Sequence, residues 1–293
     1  MSLRHEMLTA AESAPNLLHD ATENVVVYIR SQFNGDGGVR GRSAHSDLYY
    51  TVFALDSLVA LGQGLPVDTT RAYLQTFGTG SDLDFVHLVC LGRCWATLTA
   101  DDLPKDISQS ILSRTATFRS SDGGFNPESG AESGTVYAGF LGMGLYQDLG
   151  GELDNPADLG RSVLAALSAD GSFTNERGTH QGTTPTTAAA VVMLRQLGQP
   201  VPEPTVAWLL ARLNKWGGFN ATPDTPLADL LSTATALHAL AALGIPHDQF
   251  RESCLDYLNY LWTGSGFRGH LLDTEPDCEY TFYGLLALGH LSS

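Results

Sequence analysis

Asp122-Gly123-Gly124-Phe125 is a turn of small residues that ends in a hydrophobic side chain, and a helix-length apolar stretch follows it. The same pattern occurs four more times, at Asp36-Gly37-Gly38-Val39, Asp170-Gly171-Ser172-Phe173, Trp216-Gly217-Gly218-Phe219 and Gly264-Ser265-Gly266-Phe267. The last residues of successive turns are 86, 48, 46 and 48 positions apart. The first gap therefore holds two units, and the chain holds six. A period of roughly 40 to 50 residues indicates a repeat architecture.

Each unit consists of a turn, an inner helix, a Leu-Gly stop and a second helix that opens with proline. Glycine after the last helical turn accepts the left-handed conformation that ends a helix, and proline suits the first helical position. The glycines are Gly62, Gly150, Gly198, Gly244 and Gly289, and the prolines are Pro66, Pro104, Pro156, Pro204 and Pro246. With residues 16–30 as a further second-type helix, the sequence predicts about twelve helices in six pairs.

The inner stretches are apolar nearly all round, as in residues 233–243, and a helix tolerates this only when neighbours cover most of its sides. The second helices are amphipathic, as in residues 201–213. We therefore predict an all-α fold with two concentric rings of helices, formed by one domain over residues 1–293. Periodicity alone leaves open whether the array closes or remains a solenoid.

Composition and charge limit the partners. The formal net charge is −16 with two lysines, which argues against nucleic acid or an anionic membrane surface. No apolar run approaches the roughly 18 residues of a membrane-spanning helix, and the first residues lack the apolar region of a signal peptide. Four cysteines do not make a disulfide framework in 293 residues. We expect a soluble protein of the reducing cytoplasm.

A second pattern lies at the starts of the inner helices. Asp47, Asp82, Asp229 and Asp277 share one position in the repeat, and aspartate is a preferred helix N-cap. If the helix starts face a common axis, the residues three positions further on form a ring: Tyr50, Phe85, Tyr137, Thr186, Ser232 and Tyr280. Aromatic faces suit an apolar ligand and can stabilise positive charge, although the same rings could simply fill the core.

These turns and helices resemble the repeats of the protein prenyltransferase β subunits and of the squalene/hopene cyclases. Residues 217–220 with Asp229, and residues 266–267 with Asp277 and Thr281, look like the last two repeats of a prenyltransferase β subunit. The resemblance covers roughly residues 35–293. It implies a closed α/α toroid, in which six inner helices surround an apolar funnel and six outer helices surround the inner ring.

The resemblance also implies a zinc site, which this sequence does not complete. In the prenyltransferases, Asp and Cys of an Asp-x-Cys motif and His of an Asp-x-x-His-Thr motif hold the metal. The matching positions are Asp229, Leu231 and Tyr280, and leucine cannot bind zinc while a phenol replaces imidazole poorly. We therefore expect no zinc or other cofactor. Asp229, Asp277 and Glu279 remain weak metal candidates, with magnesium as the alternative ion.

The catalytic acids of the cyclases are missing as well. Their Asp-x-Asp-Asp acid, which protonates an alkene, has its closest match at residues 185–188, where there is no acid. The arginine with which the prenyltransferases contact a diphosphate falls on Val136. Asp84, Asp229 and Glu279 remain as candidate catalytic groups. A carboxylic acid facing an apolar funnel can have its pKa raised enough to donate a proton, whereas the plainer account is a cap or first-turn acid.

A basic cluster is expected where the first and last units meet, if the ring closes. The loops at that seam carry Arg40, Arg42, His45, Arg268 and His270. Such a cluster could bind a diphosphate or carboxylate head group. Alternatively, these residues pair with acids such as Asp273 and Glu275 and hold the seam shut.

Two functions of different classes remain open. The first is a prenyltransferase-like or terpenoid-cyclase-like protein, with or without enzymatic activity, that binds an isoprenoid or other apolar ligand in the funnel. Its ligand-binding residues would be Tyr50, Phe85, Tyr137 and Tyr280, with the head group at Arg40, Arg42 and Arg268. The second is a non-catalytic toroid that acts as a lipid-binding or protein-interaction module. Because prenyltransferase β subunits work with a helical-repeat partner, the resemblance also implies such a subunit.

Overall fold

The computed structural model describes residues 1–98 and 103–292. In chain order the helices of these residues are α1 (Leu3–Ala11), α2 (Pro15–Leu18), α3 (Ala21–Ser31), α4 (Leu48–Ala60), α5 (Val67–Gln75), α6 (Phe85–Leu98), α7 (Lys105–Ala116), α8 (Val136–Asp148), α9 (Pro156–Leu164), α10 (Thr184–Gln196), α11 (Glu203–Leu210), α12 (Leu230–Ala242), α13 (Arg251–Leu261) and α14 (Cys278–Leu291). Two short antiparallel ladders pair β1 (Val39–Arg40) with β2 (Ser46–Asp47) and β3 (Phe219–Asn220) with β4 (Ala228–Asp229). None of these helices combines the length and the apolar character that a bilayer crossing requires.

The even-numbered helices from α4 to α14 form an inner ring. Each packs against the next, and α14 packs against α4, so that the ring is closed. The odd-numbered helices from α3 to α13 lie outside it and pack against the inner helices. The prediction of an all-α, closed toroid with six inner and six outer helices is confirmed.

In four of the five repeated turns, the turn bonds to the inner helix of its own unit. The last hydrophobic residue of the turn is buried and donates its backbone N–H to a buried threonine in the first turn of that helix. The pairs are Val39 with Thr51, Phe173 with Thr187, Phe219 with Thr233 and Phe267 with Thr281, with N···O distances between 2.9 and 3.2 Å. The turn and the helix start therefore repeat together in the sequence because they bond to each other.

Four of the five predicted glycine stops are confirmed. Gly62, Gly150, Gly198 and Gly244 follow the ends of inner helices and have left-handed φ angles between +64° and +72°. Gly289 was predicted wrongly, because it lies inside α14, which continues to Leu291. A Cβ at Gly289 would lie 1.9 Å from the carbonyl oxygen of a residue in α1. This glycine therefore permits a close helix contact instead of ending a helix.

Helix α1 lies across the end of the ring at which the inner helices finish, and it packs against α4, α8 and α14. Arg4 binds the buried Asp56 of α4 at 2.7 Å and Thr97 of α6 at 2.7 Å. Glu6 accepts hydrogen bonds from Arg195 and Gln196 of α10. These contacts make α1 the floor of the ring, a role that the sequence did not predict.

Two boundaries also differ from the predictions. Residues 16–30 form two helices, α2 and α3, instead of one. Pro66, Pro104 and Pro156 do stand at the starts of outer helices, but α13 begins at Arg251, five residues after Pro246.

Candidate functional site

A central cavity of about 480 Å³ lies inside the ring, and residues of all six inner helices and of α1 line it. This volume is within the range of about 300–1,000 Å³ that is typical of pockets for small organic ligands. Its walls are largely apolar and include the aromatic rings of Tyr49, Phe53, Tyr137, Phe140 and Tyr283. The rings of Tyr49 and Phe53 meet edge to face, with centroids 5.1 Å apart, and the centroid of Tyr283 lies 5.6 Å from that of Phe53.

One face of each inner helix supplies the lining. On α14 this face is Glu279, Tyr283 and Leu286, and the intervals of four and three residues place the side chains above one another. Glu279 and Leu231 occupy the same position in their helices, two residues after the capping aspartate. The cavity face therefore begins one residue earlier than the predicted ring, which counted three residues from the cap.

This difference in phase decides where the predicted aromatic residues lie. Tyr137 lines the cavity. Phe85 is buried between helices, where its ring centroid is 5.1 Å from that of Phe118. The rings of Tyr50 and Tyr280 lie directly against glycines of the preceding loops. Successive residues of a helix are rotated by about 100°, and this shift of one position leaves Tyr50, Phe85 and Tyr280 outside the lining.

Glu279 is the one carboxyl group among the described residues that line the cavity. The hydroxyl of Tyr49 donates a hydrogen bond to its Oε1 at 2.7 Å. Burial raises the pKa of Glu279 to about 7; the hydrogen bond from Tyr49 acts in the opposite direction, and the charge of Asp277 adds to the increase. Near neutral pH, a large fraction of Glu279 is therefore a protonated acid that faces apolar and aromatic groups.

Asp84 was another candidate proton donor at the same end of the ring, with a cap or first-turn acid as the alternative, and its surroundings differ from those of Glu279. Its side chain is 65% exposed, and Oδ1 accepts a hydrogen bond from the backbone N–H of His87 at 2.9 Å. Burial acts to raise the pKa of Asp84, but the hydrogen bonds from His87 outweigh it and leave the pKa lowered. Asp84, and not Asp82 as predicted, therefore occupies the cap position of α6.

Asp229 and Asp277 cap their inner helices, as the sequence predicted. Asp229 accepts hydrogen bonds from the backbone N–H and the hydroxyl of Ser232, both at 2.7 Å. Asp277 accepts the backbone N–H of Tyr280 at 2.8 Å. Burial raises the pKa of both carboxyl groups, and the hydrogen bonds that they accept from Ser232 and Tyr280 oppose this increase. Neither residue lines the cavity.

The donor set of a prenyltransferase-type zinc site does not fit these positions. Both oxygens of Asp229 bond to Ser232, Leu231 contributes an apolar wall, and the ring of Tyr280 lies against Gly269. Over residues 1–98 and 103–292, no three His, Cys, Asp or Glu side chains are grouped so that they could hold a metal ion. Glu279, the candidate for magnesium, bonds to Tyr49.

The predicted basic seam exists, but its cations contact protein acceptors. Arg42 lies 3.5 Å from Asp273 and 3.4 Å from Asp277, across the junction between the first and last units. Arg268 donates to the backbone carbonyl oxygens of Tyr260 and Asp273. The Nε of Arg40 donates to the side chain of a glutamine at 3.3 Å. These contacts favour the alternative in which the cluster holds the seam shut.

Sequence reasoning missed the guanidinium group of the cavity. Arg93 lies between two buried carboxylates, 3.1 Å from Asp56 and 3.8 Å from Asp148. Asp56 also binds Arg4 of the floor helix. No repeat pattern marks Arg93 in the sequence. By contrast, Tyr49, Leu231 and Glu279 share one position in the repeat, and that signal would have located the part of the cavity wall at the helix starts.

Comparison with known proteins gives one family and several similar structures. Residues 5–224 and 201–292 match the family model of the prenyltransferase alpha-alpha toroid domain. A search of curated protein sequences finds no significant match.

The similar structures share the fold at low sequence identity. A point variant of the type II terpene cyclase MstE from Scytonema, in complex with geranylgeranyl dihydroxybenzoate, is 14% identical, with a TM-score of 0.64 over 95% of this chain and 97% of that one. Protein geranylgeranyltransferase-I of Candida albicans, complexed with GGPP, is 16% identical, with a TM-score of 0.52 over 98% and 82%. An inactive variant of the α-1,6-mannanase GH76A of Salegentibacter sp. HEL1_6 is 12% identical, with a TM-score of 0.64 over 93% and 98%. Because a sugar-cleaving enzyme is among them, function has to be argued from the cavity.

Proposed function

We propose that this chain, which belongs to the prenyltransferase α/α-toroid family, binds an uncharged isoprenoid in its central cavity and protonates one of its alkenes with Glu279. It would then act as a terpenoid-cyclase-like enzyme. The observation that carries the proposal is the single carboxyl group of the described lining, Glu279, in an apolar and aromatic cavity with its pKa raised to about 7.

Glu279 has the surroundings that a general acid needs. A pKa near the working pH keeps enough of the acid protonated for proton transfer. In the proposed step, the two π electrons of an alkene form a C–H bond to the proton of Glu279, and the other alkene carbon becomes cationic. The hydrogen bond from Tyr49 then stabilises the carboxylate that remains.

The walls suit the cation that follows. Tyr49, Phe53 and Tyr283 form a continuous aromatic cluster beside Glu279, and Tyr137 and Phe140 contribute rings from α8. The negative face of an aromatic ring attracts a cation, and this attraction is worth about 2 kcal/mol or more per ring where water is excluded. Such walls favour cyclisation through successive cations over early capture by water.

Charges around the cavity favour an uncharged substrate over a diphosphate. The end of the ring opposite α1 carries the capping aspartates, including Asp277, whose neighbour Arg42 pairs with it. Inside the cavity, Arg93 already faces the carboxylates of Asp56 and Asp148. A diphosphate would therefore meet carboxylates at the rim and compete with Asp56 and Asp148 for the guanidinium inside.

The test is turnover of neutral polyprenes. Purified protein is incubated with all-trans farnesol or all-trans geranylgeraniol in H₂O and in D₂O, and the products are analysed by gas chromatography and mass spectrometry. We expect cyclic isomers of the substrate that carry one carbon-bound deuterium after reaction in D₂O. Glu279→Gln should abolish them, whereas Glu275→Gln, at an exposed position of the loop before α14, should not.

A second candidate function is a lipid-binding module without catalysis, and the incomplete zinc and diphosphate sites support it. Under that function, the same alcohols raise the melting temperature of the protein, as a ligand of the folded state does, but remain unchanged after incubation. Absence of cyclic products despite such binding would refute the enzymatic proposal. A helical-repeat partner subunit, the exclusion of nucleic acid and the cytoplasmic location stay predictions.

A further inference from the structure

Three histidines lie together near the floor of the cavity, and the proposed protonation step does not use them. His238 of α12 lines the cavity, and its Nδ1 lies 3.0 Å from Nε2 of His290 at the end of α14. The ring of His247, from the loop before α13, has its centroid 6.0 Å from that of His290. The cluster therefore connects the lining of the cavity with the outer layer of helices.

His238 and Glu279 face the same cavity from opposite ends. Leu231 has the position on α12 that Glu279 has on α14, and His238 follows Leu231 by seven residues. Seven residues of α-helix rise about 10 Å. An elongated ligand that reaches Glu279 with one end therefore approaches His238 with the other.

His238 is an unprotonated base at neutral pH. His238 is only 8% exposed, and burial lowers its pKa to about 4. The nearby charge of Glu6 acts to raise this pKa, and the charge of Arg195 acts to lower it. Burial, together with His238 and His247, lowers the pKa of His290 to about 3. Nδ1 of His238 is engaged with His290, so we assign Nε2, the other ring nitrogen of this lining residue, to contact with a ligand.

We propose that His238 is a second catalytic residue of this cavity, the base that removes a proton from the last carbocation and so ends the cyclisation. The proposal rests on the function proposed above. It is supported by the position of His238 in the lining, by its separation from Glu279 along the axis of the inner helices, and by its contact with His290.

The step balances without a further reactant. A C–H bond next to the cationic carbon breaks, its two electrons form the new C=C bond, and the proton binds Nε2 of His238. The contact between Nδ1 of His238 and Nε2 of His290 then stabilises the imidazolium ion that forms, with the Nδ1 proton remaining on His238. Glu279 supplies one proton and His238 receives one, so the product is an isomer of the substrate. When the product leaves, water restores both groups.

A weakly basic histidine suffices for this step. A carbocation is a far stronger acid than an imidazolium ion, so the base has only to be unprotonated and in contact. Without it, the cation persists until water captures it or a proton leaves from another carbon. The identity of the final products is therefore the property that His238 controls.

The test compares His238→Gln with the wild type and with His180→Gln, a matched control at an exposed loop histidine. All-trans geranylgeraniol in D₂O is the probe, and substrate consumption, deuterium content and product composition are measured. In His238→Gln we expect substrate consumption and deuterium uptake to continue. The ratio of the wild-type alkene to alcohols and other alkene isomers should fall roughly 100-fold, the lower limit of a general-base contribution. His180→Gln should match the wild type.

Each other result contradicts a specific statement. An unchanged product ratio in His238→Gln, with normal turnover, refutes the role of His238 and leaves the proposed function intact. If the wild type itself forms no cyclic product, the proposed function fails and this inference fails with it. Should circular dichroism show that His238→Gln does not fold, His238→Asn is assayed in its place, with the same two outcomes.

Discussion

The buried carboxyl group of Glu279 makes the stability of the protein depend on pH in a calculable way. Its pKa is raised from the ordinary value of 4.5 to about 7. Between these values the folded protein keeps a proton that the unfolded chain has lost. The free energy of unfolding therefore decreases as pH rises through this window and becomes constant above it.

The size of this effect follows from the two pKa values. Each tenfold change in proton affinity corresponds to about 1.4 kcal/mol, and integration between about pH 5.5 and 8.5 gives a loss of about 2 kcal/mol. Glu279→Gln keeps an uncharged side chain at every pH, so the difference between variant and wild type isolates this term. We therefore expect the free energy of unfolding of Glu279→Gln, relative to that of the wild type, to increase by about 2 kcal/mol between about pH 5.5 and 8.5.

The assay is urea unfolding followed by far-ultraviolet circular dichroism at several pH values, all above the pI of about 4.7. Glu275→Gln is the control, because water solvates both forms of that exposed carboxyl group and its difference from the wild type should change little. A difference between Glu279→Gln and the wild type that stays constant with pH would show that Glu279 is solvated. It would also remove the argument for Glu279 as a proton donor.

Three further predictions concern the groups around Glu279 and the floor. Tyr49→Phe removes the hydrogen bond that stabilises the ionised form of Glu279, so the pH-dependent loss of stability should move to higher pH. Movement to lower pH would contradict the assignment of Tyr49 as the hydrogen-bond donor. Gly289→Ala should cost about 1–3 kcal/mol in urea unfolding because its Cβ overlaps α1, whereas Gly64→Ala, with open space around it, should not; equal effects contradict the contact. Asp56→Asn removes the buried charge that Arg4 and Arg93, both largely but not fully buried, share, and it should cost about 3–5 kcal/mol. A loss below about 1 kcal/mol in the same assay would show that water reaches the cluster.

The helix pairs were predictable because the repeat in sequence is a repeat of contacts. The turn residue Phe219, for example, bonds to Thr233 in the same unit, so both positions recur with the same period. Caps such as Asp229 followed from the preference of aspartate for helix starts. Closure was not predictable from periodicity, because it depends on contacts such as that between Tyr49 and Glu279, which are 230 residues apart.

The cavity and its floor were harder to predict, for physical reasons. Helix α1 has no counterpart in the other units, so no repeat marks it, and Gly289 has the sequence of a helix stop although it serves a contact with α1. Apart from Tyr137, the predicted aromatic residues were one position out of phase with the cavity face, which on α4 exchanges Tyr49 for Tyr50. Glu279 was named as a candidate, but the raised pKa depends on burial, which appears only when six helices enclose the same space.

The junction between α4 and α14 has a consequence for biosynthesis. An open array of repeats can fold unit by unit and fray from either end. Here the first inner helix is incomplete until the last one reaches it, and α1 contacts inner helices of five separate units, α4, α6, α8, α10 and α14. Contacts between residues so distant in sequence form slowly. Until α14 has left the ribosome, the side of α4 that packs against it in the folded protein stays uncovered. A chaperone would bind this apolar surface during that interval.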